Sequence, residues 1–117
     1  PAVLAGINKV LEILDVEFDQ RAEKMFRYSK MVREALNYAG FSVADGKLPI
    51  TSVKCGSTEC TIEVAKHLFE NNILTTPFVH PSVPKNDGRV RMITGANLSE
   101  STIEKSCEVI KNLKCKN

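Results

Sequence analysis

Arg89 and Arg91 are the residues of this 117-residue chain best suited to chemistry. They stand two apart at the start of the run Arg89-Val90-Arg91-Met92-Ile93, so in a strand they point to the same face. A guanidinium is planar, always charged, and carries its donors in a fork that matches a carboxylate or a phosphate. The stretch leading to them is stiff, because Pro81 and Pro84 fix φ and remove backbone donors. Asn86-Asp87-Gly88 is a turn signal, since these residues tolerate the backbone geometry of a tight turn. Gly95-Ala96-Asn97 then hands the chain to a helix. On these grounds two readings stay open for the arginines: capture of an anion, or a pair of solvated strand cations that bind nothing.

The other reactive residue types give less. Cys55, Cys60, Cys107 and Cys115 lack the close Cys or His companions of a zinc site, and read as reduced thiols of a cytosolic protein. His67 lies in a helical stretch and His80 in the stiff loop, and neither has a neighbouring acid in sequence to build a triad. No glycine-rich phosphate loop, H-E-x-x-H or G-x-S-x-G occurs. A net charge of +2 is too small to argue for nucleic acid or an anionic membrane surface. No apolar run approaches the roughly 20 residues of a membrane-spanning helix, and nothing reads as a signal peptide. The start at Pro1, without an initiator Met, is expected to mark a processed or excised piece.

Several elements must position the arginines. Val3, Leu4, Ile7, Val10, Leu11 and Leu14 recur at spacings of three and four, one stripe of an amphipathic helix. A second stripe runs through Phe18, Ala22, Met25, Val32, Leu36 and Ala39, and Gly40 is a helix stop. The reading is one long helix, with a bend allowed near Asp15, longer than a small domain needs for itself. Phe41 to Lys47 reads as a polar connection and Ile50 to Cys55 as a strand. Gly56-Ser57-Thr58 offers caps for a helix whose face is Ile62, Ala65, Leu68 and Phe69, ending near Asn71-Asn72. Ile73 to Val79, interrupted by Pro77, reads as an edge strand and Arg89 to Thr94 as the next. Ser99 or Ser101 caps a last helix, Ser101 with Glu104 fitting a capping box, with Ile103, Cys107, Ile110 and Leu113 inward. The order α-β-α-β-β-α implies an α+β fold, a small three-stranded sheet covered by helices on one face.

The run H-P-S-V-P-K-N-D-G-R-V-R-M-I-T-G-A-N-L-S-E-S-T-I resembles the C-terminal signature of the α-oxoamine synthases, fold-type I pyridoxal-phosphate enzymes. In that family the segment reads P-x-V-P-x-G-x-x-R-L-R, then S-A-A-H, then a T-x-E-x-I helix start. Pro1 to Gly6, Leu48-Pro49-Ile50 and Asn72-Ile73-Leu74 are similar to further family segments, so the resemblance spans almost the whole chain. Leu98 stands where many members have His, Asn97 stands at the small residue before it, and Gly95 replaces Ser, so the resemblance does not carry substrate specificity.

The resemblance implies a C-terminal small domain, over residues 1–117, of an enzyme that joins an amino acid to an acyl-CoA. The family's second arginine, which binds the carboxylate of the amino acid, falls on Arg91. The loop from Pro81 to Pro84 is implied to border the substrate entrance. The cofactor, pyridoxal phosphate, belongs to the full-length enzyme, because its Schiff-base lysine lies in a large domain absent from this chain. The fragment is therefore expected to be inactive alone, with no catalytic, cofactor or metal residue of its own. The full-length protein is expected to be a cytoplasmic homodimer that engages neither nucleic acid nor membrane. Two alternatives stand beside this: a fold-type I aminotransferase domain, or a free-standing α+β anion-binding or regulatory module.

Overall fold

A computed structural model describes residues 1–115. Its first helix, α1 (Ala2–Tyr38), is unbroken through Asp15 and is 37 residues long. At 1.5 Å per residue such a helix spans about 55 Å, which accounts for the 53 Å long axis of the molecule. Only its second half enters the core, through Tyr28, Ser29, Val32, Ala35 and Leu36. The stripe from Val3 to Phe18 stays in the open, with Val3 76%, Leu4 64% and Phe18 59% exposed. Gly40 ends the helix at φ +87°, a left-handed conformation that glycine adopts without a Cβ penalty. Phe41 N–H then reaches back to the Leu36 carbonyl at 3.0 Å.

Four strands follow, not three: β1 (Ser42–Val43), β2 (Ile50–Gly56), β3 (Thr76–Phe78) and β4 (Gly88–Ile93), in the order β1-β2-β4-β3. All neighbours are antiparallel. The added strand lies inside the stretch read as a polar connection; two residues are too few to show a period-2 pattern. β3 is shorter than the Ile73–Val79 run, and it is an edge strand with Pro77 at its centre. The two helices that follow strands are α2 (Thr58–Glu70) and α3 (Glu100–Lys111). Ser57 caps α2 by accepting from Cys60 N–H at 3.1 Å. Ser99, not Ser101, caps α3, accepting from Thr102 N–H at 3.2 Å, so the Ser101–Glu104 capping box does not form.

The helices cover one face of the sheet. Val53, Val90 and Met92 point into it and meet α1, Val64 and Leu68 of α2, and Ile103, Cys107 and Ile110 of α3. The α3 face is as expected, and the α2 face is turned. Its buried residues are Cys60, Thr61, Val64 and Leu68, while Ile62 and Phe69 are 47% and 67% exposed. The reason is local: Thr61 satisfies its hydroxyl on the Ser57 carbonyl at 2.7 Å, so a polar residue fits the core side. Arg33 of α1 donates to the carbonyls of Leu48 and Ile50, each at 3.0 Å, and so straps the β1–β2 loop to the helix.

Two of the four expected thiols are not free. Cys60 and Cys115 form a disulfide with Cα atoms 5.6 Å apart, tying the start of α2 to the segment after α3, while Cys55 and Cys107 remain thiols. That separation lies in the range a disulfide bridges. The partners are 55 residues apart in sequence, so no local spacing announces them.

Candidate functional site

The face of the sheet away from the helices is uncovered, and the strand register decides what it carries. In β4 the buried residues are Gly88, Val90 and Met92, so Arg89, Arg91 and Ile93 point outward. Across the ladder Arg91 lies opposite Ser52 of β2 and Thr76 of β3, and Arg89 opposite Lys54 and Phe78. Paired residues of antiparallel strands share a face. The open face therefore presents Lys54, Arg89 and Arg91 beside Ser52, Thr76 and Phe78, with Ile50 and Ile93 at one end. Ile93 is 62% exposed.

The two arginines, equivalent in sequence, differ in partners. Arg89 donates from one Nη to both carboxylate oxygens of Asp87 at 3.2 Å. Lys54 reaches the same carboxylate at 3.2 Å. These hydrogen bonds, that from Lys54 first and Arg89 after it, hold the Asp87 carboxyl below its usual range. Arg91 has no acidic partner among the described residues. Its guanidinium carbon instead lies 5.0 Å from the centroid of the Phe78 ring, within cation–π range. Arg89 is thus paired with an acid that it shares with Lys54, and Arg91 keeps its hydrogen-bonding fork.

The loop before β4 is shaped as its residues demand. Asp87 N–H bonds the Pro84 carbonyl at 3.1 Å, and Asn86 sits at φ +61°, a conformation asparagine tolerates. His80 is exposed and holds no hydrogen bond from its ring among the described residues; His67 lies in the last turn of α2. Phe78, Asp87 and Lys54 were not among the site residues read from sequence, although Asp87, two residues from Arg89, was open to that inference.

Arg91 lines none of the main clefts. The largest, about 700 Å³, lies along α1 against Gly46 and Lys47, with Phe18 and Phe26 in its wall. Arg91 stands on an open surface. No helix is long and apolar enough to cross a membrane among the described residues.

Comparison with known proteins places this architecture. Residues 1–110 match the family described as aminotransferase class I and II. The 8-amino-7-oxononanoate synthases of Treponema denticola and Thermoanaerobacter pseudethanolicus are 33% and 34% identical to it over 101 residues, covering 86% of this chain and 25% of theirs. The chain thus spans about a quarter of the length of these curated relatives. Among solved structures, the Sphingomonas wittichii serine palmitoyltransferase superposes with a TM-score of 0.70 at 14% identity, over 76% of this chain and 23% of that one. An 8-amino-7-oxononanoate synthase from Francisella tularensis gives 0.69 at 18% identity, over 92% and 30%. These likenesses carry the α+β fold, and two of the solved serine palmitoyltransferases hold pyridoxal phosphate as an aldimine. On the family match across residues 1–110, this chain belongs to the class I and II aminotransferase family.

Proposed function

We propose that this chain is the substrate-binding C-terminal domain of a pyridoxal-phosphate-dependent α-oxoamine synthase, which condenses an amino acid with an acyl-CoA. Arg91 binds the amino-acid carboxylate. The observation that carries this is the partition of the strand arginines: Asp87 occupies Arg89, and Arg91 is exposed with no acid in reach among the described residues. Two parallel N–H···O⁻ bonds from such a fork are of the stronger, charge-assisted kind.

The remaining surfaces agree with a half-site. Pyridoxal phosphate, when bound, supplies the electron sink for bond changes at the amino-acid α-carbon. The described residues do not suit it by themselves, because their lysines are exposed, apart from a half-buried Lys24 packed over Tyr28. No step is assigned to this chain through the cofactor, and the isolated domain is inactive in this reading. The bare sheet face and the bare first half of α1 are the surfaces that receive the rest of the enzyme, a homodimer when full length. The proposed compartment is the cytoplasm. The Cys60–Cys115 bond is the observation against it, and thiol counting on protein taken from its host without reductant decides between the two.

In the full-length enzyme, Arg91→Gln and Arg91→Lys are expected to raise KM for the amino acid at least tenfold and leave KM for the acyl-CoA within about twofold. Unchanged amino-acid kinetics sink the assignment. The family match also admits an aminotransferase. Product analysis separates the two, since a synthase releases CoA and an aminotransferase consumes a keto acid.

A further inference from the structure

We infer that Phe78 is a positioning residue for the substrate carboxylate, holding the Arg91 guanidinium by its face so that its edge is left to bind. The inference rests on Arg91 being the carboxylate clamp. Phe78 lies directly opposite Arg89 in the β3–β4 ladder, which makes Arg91 its diagonal neighbour on the same face. Aromatic and long side chains reach each other across that diagonal. The guanidinium carbon is 5.0 Å from the ring centroid.

The chemistry of the contact is selective. Where the two planes stack, the ring engages the π face of the guanidinium, while the N–H groups lie in the guanidinium plane. Stacking therefore consumes none of the donors a carboxylate needs. It restricts a long flexible stem that would otherwise sweep the open sheet surface, and ordering the arginine beforehand lowers the entropy lost on binding. Arg89 shows a different arrangement on the same strand, with one Nη engaged by both carboxylate oxygens of Asp87. Phe78 is also free of a core duty: it is half-buried on the uncovered face and takes no part in the buried cluster.

The test is calorimetric titration of the full-length protein with glycine, L-alanine and L-serine, each beside its methyl ester, which lacks the carboxylate. For the amino acid that binds tightest, Phe78→Leu is expected to weaken binding about fivefold, which at 1.4 kcal/mol per factor of ten is about 1 kcal/mol. Ester binding stays within about twofold, and Phe78→Tyr restores the acid. In an Arg91→Gln background Phe78→Leu adds nothing, because the group it positions is gone. Should Phe78→Leu fail to fold, para-fluorophenylalanine at position 78 keeps the shape, weakens the ring's negative face, and is expected to cost about twofold. Wild-type affinity in both ring variants, equal loss of acid and ester, or additivity with Arg91→Gln overturns the inference. If Arg91→Gln itself binds the amino acid like wild type, the clamp reading fails; an Arg91 effect without a Phe78 effect sinks the positioning role alone.

Discussion

Replacing Gly88 by alanine should cost more stability than one methyl group suggests. Gly88 opens β4 and pairs with Gly56 across the ladder. A Cβ there would stand 2.9 Å from the Gly56 carbonyl oxygen and 3.1 Å from that of Ser57, and would overlap the Thr61 hydroxyl. Two of these three neighbours are backbone, and Thr61 is 0% exposed, so neither side has room to yield. Overpacking of this kind costs about 1–3 kcal/mol. Displacing Thr61 also breaks its 2.7 Å bond to Ser57, worth about 1 kcal/mol. The expected loss is about 2–4 kcal/mol, or a fall in Tm of roughly 8–16 °C at ~4 °C per kcal/mol for a domain of this size. Thermal and urea denaturation followed by circular dichroism measure it. Combining Gly88→Ala with Thr61→Ala should recover about half the loss beyond the sum of the single effects, since the side-chain clash is relieved and the backbone one is not. A Gly88→Ala protein within about 0.5 kcal/mol of wild type, or strict additivity in the pair, refutes the steric account.

Further outcomes follow from burial. Thr51 is 1% exposed on the core side of β2, and its hydroxyl finds no hydrogen-bond partner among the described residues. Thr51→Val has nearly the same shape and should raise stability by about 1 kcal/mol in the same melts; a loss would place an unseen partner on that oxygen. Burial pushes the Cys55 thiol up to about 11. It is therefore a neutral thiol at pH 7–9, and iodoacetamide should label it with a rate that climbs toward pH 11. The raised value also stabilises the fold below the unfolded thiol's pKa of about 8.5, and that contribution is lost as pH rises through 11. Fast labelling of Cys55 in the folded protein at pH 7 would contradict this.

Features written in a few adjacent residues were legible from sequence. Gly40 at the end of α1, Ser57 at the start of α2 and Asn86 in the turn adopt the geometries their chemistry favours. Features that depend on distant pairing were not. β1 exists because Ser42 and Val43 find Lys54 and Val53, and no periodicity in two residues foretells that. The buried face of α2 is turned from the Ile62–Phe69 stripe, because Thr61 buries its hydroxyl satisfied on the Ser57 carbonyl. The arginine pair shows both cases. Asp87 lies beside Arg89 in sequence, but Phe78 meets Arg91 only once the β3–β4 register is known.

The borders of the sheet constrain how this domain can meet another chain. One border is the two-residue β1, and the other is the three-residue β3, whose middle residue, Pro77, has no N–H to offer. A neighbouring strand laid along either would find too few free backbone groups to form a ladder. Extension of the sheet from one molecule into the next is closed at both sides. A second chain is left to meet this domain through side chains rather than through a shared ladder, and contact of that kind does not template a fibre.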